Sequence, residues 1–340
     1  MPWKGERDPY KIWLSEIILQ QTRVEQGWDY YKRFVSAFPT IKNLAEASET
    51  KVFKLWEGLG YYTRCKNLIA TAQIIVKKYN AKFPDEYEQI LALKGIGPYT
   101  AAAISSFAFN LPYAVVDGNV FRVLSRYFGF SIPIDGNTGK KIFSTLAEEL
   151  LDKKKPGIYN QALMDFGAVV CKPKLPLCLS CPLKNKCVAF EKNIVDLLPV
   201  KDKKVTKKTR WFYYVIIEFE GKIFVRKRLA GDIWENLYEF ILEEKSEQID
   251  FDQLKMLPSI KKWSENGKIL IDKVSPVYNQ KLTHQNIYGQ FIKIKISILP
   301  VIDGFKLVSK KQLSILPFPK IIATYLKDKN VSLNLMHTNS

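Results

Sequence analysis

Two carboxyls and four thiols are the groups in this chain whose types and spacing invite chemistry. Glu16 stands in "DPYKIWLSEIILQQTRV" (8–24), where Asp8 can cap and Pro9 can open a helix. At about 100° per residue, Tyr10, Ile12, Trp13, Leu14, Ile17, Ile18 and Leu19 surround that helix on every side. A helix apolar all round is buried. Glu16 and Gln20, four apart on one face, therefore line a cavity or satisfy each other in the core. Loss of water raises a carboxyl pKa, so Glu16 can hold a proton near neutrality. The plainer alternative is a structural glutamate, buried at a cost and without a use. Asp117 opens the amphipathic run of "VVDGNVFRVLSR" (115–126) as a natural N-cap. There, backbone N–H groups and the helix dipole both favour its ionised form; a cap and nothing more is also compatible. Two carboxyls with pKa values pushed apart suit glycosidic-bond cleavage through an oxocarbenium-like state. One gives a proton to the leaving group and the other stays anionic beside the positive sugar.

The thiols are Cys171, Cys178, Cys181 and Cys187, four of the five cysteines, separated by six, two and five residues. Such clustering in a reducing compartment points to a metal or redox site rather than disulfides. A structural zinc and an iron–sulfur cluster both accept four thiolates. The single C-x-x-C knuckle with wider flanking gaps favours the cluster. Lys172, Lys174, Lys184 and Lys186 lie between these cysteines.

The elements that must position these groups can be read from pattern. Before about residue 200 apolar residues recur at helical spacing, as in 52–79 and 140–154, and this half reads as nearly all helix. In "LKGIGPYTAAAI" (93–104), Gly95 and Gly97 permit a tight turn and Pro98 fits a first helical position. The Ala-rich run after them lets neighbouring backbone approach. Free N–H groups at such a helix start suit a DNA phosphate, although a bland helix–turn–helix has the same signature. "KDKKVTKKTR" (201–210) reads as an exposed linker. The aromatic and β-branched runs at 211–228 and 288–300 indicate a second, mixed α+β domain.

The 340 residues suit two domains, and 52 Lys+Arg against 34 Asp+Glu give a formal charge of +18, which calls for a polyanionic partner. No long apolar run and no signal-like N-terminus are present, so a cytoplasmic, non-secreted protein is expected, with no membrane partner.

Together, "SEIILQQTRV", "GLGYYTRCKNL", "LKGIGPYTA", "VVDGNVFRVLSR" and the C-x6-C-x2-C-x5-C spacing resemble the MutY-type adenine DNA glycosylases, within the endonuclease III superfamily of helix–hairpin–helix glycosylases. The resemblance implies a multi-domain fold: an all-α helix–hairpin–helix domain over 1–195 carrying a 4Fe-4S cluster, a basic linker at 196–210, an α+β MutT/Nudix-like domain over 211–332 and a tail at 333–340. Members of that family usually carry a further segment before the "PWK" that stands here at 2–4. Cys171, Cys178, Cys181 and Cys187 become cluster ligands, and the lysines between them a basic loop on DNA phosphates. Glu16 becomes the general acid that protonates adenine at N7, and Asp117 the stabiliser of the sugar cation, with Tyr99 and Asn119 assisting. Gln21, Thr22, Leu59 and Tyr61 match residues that read or wedge at the opposite base. Members with lyase activity carry a Schiff-base lysine where this chain has Tyr99, so water is the expected nucleophile and the enzyme monofunctional.

In the second domain, "VRKRLAGDIWENLYEF" (225–240) matches the family's opening motif. Leu282-Thr283-His284 stands where relatives carry Phe-Ser-His, which makes Thr283 and His284 the expected readers of 8-oxoguanine. The acidic Nudix pyrophosphatase box is absent, so binding without hydrolysis is expected of this domain. The partner implied is double-stranded DNA with an adenine:8-oxoguanine or adenine:guanine mispair, met by a monomer.

Overall fold

The computed structural model describes residues 5–202, 206–265, 270–296, 298–299 and 301–328. Residues 2–4, lysines 203 and 204 of the expected linker and the tail at 333–340 lie outside the described residues. The chain divides into two compact units, one of Met1–Glu46 and Lys66–Lys204, the other of Ala47–Cys65 and Val205–Ser340. The stretch 47–65, which sequence alone places with the helical half, thus groups with the C-terminal unit.

The helices in chain order are α1 (Pro9–Leu19), α2 (Val24–Ala37), α3 (Ile41–Glu46), α4 (Glu49–Trp56), α5 (Tyr62–Tyr79), α6 (Tyr87–Leu91), α7 (Pro98–Phe109), α8 (Gly118–Phe128), α9 (Asn137–Leu150), α10 (Pro156–Val169) and a short α11 (Val188–Glu191). Local signals set several of their starts. The Asp8 carboxylate accepts the Tyr10 N–H at 2.9 Å ahead of Pro9, and Asp117 caps α8. As its all-round apolar pattern predicts, α1 is buried from Ile12 to Ile18. Fully burying one such aliphatic side chain contributes about 1.5–3 kcal/mol. Ala102 and Ala103 of α7 pack with Val120 and Leu124 of α8, Phe143 of α9 and Met164 of α10. Small residues allow close approach here: a Cβ on Gly157 would stand 2.6 Å from the Ser106 carbonyl oxygen.

In the second unit, β1 (Lys208–Phe219), β2 (Lys222–Lys227), β3 (Tyr238–Glu239), β4 (Ile241–Lys245), β5 (Leu270–Val274), β6 (Tyr278–Lys281), β7 (Gln285–Lys295) and β8 (Lys306–Ser309) form one sheet with central order β3-β2-β1-β7-β5. β1 runs parallel to β7 and antiparallel to β2 and β4. Helices α12 (Phe251–Lys255), α13 (Pro258–Glu265), α14 (Lys310–Ile315) and α15 (Lys320–Lys327) complete the unit. This is the mixed α+β architecture expected. The run from Phe212 to Ile217 is apolar without alternation because both its faces are covered. Tyr213, Val215 and Ile217 pack with Leu254 and Ile260, while Tyr214 stacks on Phe291, which stacks on Tyr325 of α15 at 3.9 Å between ring centroids. β1 begins at Lys208, inside the span read as linker, because Lys208 and its successors pair with β7.

Candidate active site

The two carboxyls come from helices that local pattern already shaped. Glu16 projects from the buried α1 with 6% of its surface exposed, and the Tyr99 hydroxyl, in the first turn of α7, donates to Glu16 Oε2 at 2.8 Å. Burial pushes the Glu16 carboxyl up to about 7; the Tyr99 bond opposes this and the charge of Asp117 adds to it. Burial also holds the Tyr99 phenol well above its ordinary value, so it remains a donor. The Gln20 backbone N–H donates to the Glu16 carbonyl at 3.2 Å. Gln20 caps α1 and its side chain donates to Thr100 Oγ1 at 3.2 Å.

Asp117 accepts from the Asn119 N–H at 2.9 Å and the Val120 N–H at 2.8 Å through Oδ1, and from Asn119 Nδ2 at 2.7 Å through Oδ2. Capping alone predicts a depressed pKa. The carboxyl instead lies above its ordinary value, because burial outweighs the Val120 and Asn119 bonds and the more distant Arg122 charge. Three N–H donors favour the anion of Asp117, whereas Glu16 has one hydroxyl donor and sits in the drier place. Of the two, Glu16 is the proton holder.

From Asn119 a line of bonds continues. The buried Arg122 donates through Nη2 to Asn119 Oδ1 at 2.8 Å and to the Gly167 carbonyl at 2.6 Å, and through Nε to the Cys171 carbonyl at 2.7 Å. Gly167 is required at its place on α10, since a Cβ there would stand 2.7 Å from the Asn119 Cβ and 2.9 Å from its carbonyl oxygen.

Beside Glu16 lies a cavity of about 320 Å³, walled also by Arg7, Ser15, Phe107, Gln161 and Asp165. This volume falls in the range of small-ligand sites. Gln161 donates to Asp165 Oδ1 at 3.1 Å. Sequence reasoning missed this pair and Arg122. The available signal was polar residues four apart on the inner stripe of "YNQALMDFGA", the same signal that singled out Glu16 and Gln20.

Cys171, Cys178, Cys181 and Cys187 line one small cavity with Val123, Arg126 and Phe166. Among the described residues no group of three or more His, Cys, Asp or Glu converges tightly enough to hold a single metal ion. The buried Arg126 donates to Cys171 Sγ at 3.5 Å and to the carbonyls of Lys172, Val195 and Leu198 at 2.8–3.0 Å.

Gly95 has φ +78° and a Cβ there would strike Asn67 at 2.6 Å, so glycine is required. Gly97, which caps α7, has φ −100° and open space before it. The turn therefore needs one of its two glycines for conformation. Gln21, at φ 56°, and Thr22 follow α1 directly.

The remaining expected residues lie in the second unit. Leu59 is 6% exposed, whereas Tyr61, held at φ 48°, is 45% exposed. The turn that carries Tyr61 is braced by Trp56 Nε1 and Arg64 Nη2, both donating to the Gly60 carbonyl at 3.0 and 3.3 Å. Thr283 and His284 sit exposed between β6 and β7, and the Thr283 hydroxyl is hydrogen bonded to the Tyr61 hydroxyl.

Residues 14–151 match the family model described as "HhH-GPD superfamily base excision DNA repair protein". The adenine DNA glycosylase of Buchnera aphidicola subsp. Baizongia pistaciae is 36% identical over 308 residues, spanning 89% of this chain and 84% of the relative. The structure of a thermostable thymine-DNA glycosylase superposes with a TM-score of 0.53 and 33% identity, over 56% of this chain and 88% of that one. A non-covalent endonuclease III–DNA complex superposes with a TM-score of 0.50 at 24% identity, over 56% and 87%, a likeness of fold. Among the described residues no helix is long and apolar enough to cross a membrane.

Proposed function

The chain belongs to the adenine DNA glycosylases, hydrolytic base-excision repair enzymes of the HhH-GPD superfamily, and on that premise we propose that it removes adenine mispaired with 8-oxoguanine or guanine by acid-assisted hydrolysis, with Glu16 as general acid and Asp117 as stabiliser of the sugar cation. The observation that carries this reading is the pairing of a dry Glu16, with pKa about 7, and an N–H-saturated Asp117 nearby. Tyr99 donates to Glu16 Oε2, so the acidic proton resides on Oε1. That proton passes to N7 of the base while the bond from N9 to the sugar C1′ breaks and its electron pair goes to the adenine. Positive charge left on the sugar faces the Asp117 carboxylate, oriented by Asn119. Water adds at C1′ and gives up a proton to the Glu16 carboxylate left by the first step, which restores the acid. Position 99 offers a phenol rather than an amine, which supports a monofunctional enzyme over one that also cleaves the strand.

The cavity beside Glu16 suits the extruded base, with the hydrogen-bonded pair Gln161 and Asp165 on its wall. The four cysteines suit a 4Fe-4S cluster better than one ion. All four line one cavity and would hold such a cluster there, with Arg126 donating to the Cys171 sulfur. Ligation at these four cysteines would order the lysine-bearing loop 171–187 for phosphate contact. The N–H groups opening α7 behind Gly97 suit a second phosphate. In the second unit, which we read as MutT/Nudix-like, Thr283, His284, Tyr61 and Leu59 are proposed to meet the base opposite the adenine; Gln21 and Thr22 of the first unit are proposed as further DNA contacts.

The test is single-turnover excision on duplexes with adenine opposite each of the four bases and opposite 8-oxoguanine. Excision confined to guanine and 8-oxoguanine partners is expected. Equal excision opposite thymine, or strand cleavage without added base, contradicts the reading.

A further inference from the structure

Arg210 stands near the start of β1, 8% exposed, and every N–H of its guanidinium is taken. Nε and Nη2 donate to the two oxygens of Glu244 at 2.7 and 2.6 Å, and Nη1 and Nη2 to the two oxygens of Asp232 at 2.8 Å each. The remaining N–H, on Nη1, reaches Gln285 Oε1 at 3.2 Å. Asp232 is in turn held by Arg228 Nη2 at 2.9 Å, and Arg228 pairs with the buried Glu239. A doubly bidentate arginine is a rigid fork that lysine cannot imitate. Stability alone is a poor reason for it, since well-packed apolar residues commonly replace buried ion pairs without loss.

What the fork reaches is the turn between β6 and β7. Gln285 adjoins His284, and its backbone carbonyl accepts the Leu282 N–H at 2.7 Å, closing the turn on itself. The Lys208 N–H donates to the His284 carbonyl at 2.9 Å. The turn is therefore tied to β1 twice, by backbone at His284 and by the Arg210 side chain at Gln285, while the side chains of Thr283 and His284 stay exposed.

We propose that Arg210, braced by Asp232 and Glu244, is a positioning residue that sets the presentation of the Thr283–His284 turn through Gln285, and so determines preference for the base opposite the adenine. The inference rests on the reading that this turn meets that base. Two bases that differ at a few edge atoms are distinguished only by groups held to within a fraction of an ångström, and an exposed turn reaches that precision when its anchor is rigid.

The test uses the full chain and compares single-turnover excision and dissociation constants on adenine:8-oxoguanine and adenine:guanine duplexes. Gln285→Met cuts the link to the turn and leaves the ion cluster intact. Preference for 8-oxoguanine should fall roughly three- to tenfold, the worth of one hydrogen bond, with the rate on adenine:guanine unchanged. Gln285→Glu still offers Arg210 an oxygen and should retain the preference. Arg210→Lys should lose at least as much as Gln285→Met. Native preference in Gln285→Met, or an equal loss of rate on both duplexes, overturns the proposal. The Thr283→Ala, His284→Ala double variant separates the layers. If it keeps full preference, the reading of the turn fails and the proposal with it. If it loses preference while Gln285→Met keeps it, only the role of Arg210 fails.

Discussion

Glu16→Gln should abolish excision and at the same time stabilise the protein, by an amount that grows with pH. Burial raises the Glu16 carboxyl from an ordinary 4.5 to about 7. A raised carboxyl pKa means that the folded state binds the proton more tightly than the unfolded chain. The associated stability is fully present below pH 4.5 and is lost as pH rises through 7. From these two values the ionised form costs about 1.4 kcal/mol at pH 5.5 and about 3 kcal/mol at pH 8. Glutamine is neutral throughout and keeps an oxygen for the Tyr99 hydroxyl. The advantage of Glu16→Gln over the native chain should therefore grow by about 2 kcal/mol between those pH values. Urea unfolding of both proteins at the two pH values, with tryptophan fluorescence, including that of the buried Trp13 of α1, as signal, reads it directly. A gap that does not change with pH would mean that Glu16 is wet and titrates normally, and the account of its acidity would be refuted. The same shift sets the catalytic stake. At pH 7 about half of Glu16 carries its proton, against roughly one molecule in three hundred at the ordinary value.

Gly167→Ala should slow excision by at least about tenfold with little loss of DNA affinity, because its Cβ would displace Asn119, the residue that orients Asp117; single-turnover rate and dissociation constant together check this. Cys178→Ser should give pale protein with reduced iron content and weakened DNA binding, read from visible absorption and a binding titration, and intact binding by colourless protein would contradict the role given to the loop. DNA affinity should fall steeply with salt, and replacing each of Lys172, Lys174, Lys184 and Lys186 that meets a phosphate should reduce the slope of log K against log salt by roughly one, whatever the sequence of the duplex.

Local signals were legible and tertiary ones were not. The Asp8 and Asp117 caps, Pro9 and Pro98 at helix starts and the burial of Glu16 all follow from residues within a turn or two of each other. The partner of Glu16 does not, because Tyr99 lies 83 residues away and reaches it only when α1 packs on α7. The pKa of Asp117 went the other way from its caps for the same reason: the donors are neighbours in sequence, whereas the desolvation comes from packing. Gln161 and Asp165 carried a readable spacing but no cavity until α10 was placed beside α1. The grouping of Ala47–Cys65 with the second unit was invisible to periodicity, which reports that a helix has an apolar face and not what covers it.

The central claim is that a proton held on Glu16 by burial drives departure of the base. The pH profile of single-turnover adenine excision, from pH 5.5 to 9 at fixed salt with DNA-saturated enzyme, tests it most directly. The account predicts a rate that is level below about pH 7 and falls toward tenfold per unit above it, with the limb moving in Tyr99→Phe toward higher pH, because the bond from Tyr99 lowers the Glu16 pKa. A rate that stays level to pH 9, or a limb that ignores the loss of the Tyr99 hydroxyl, would contradict it.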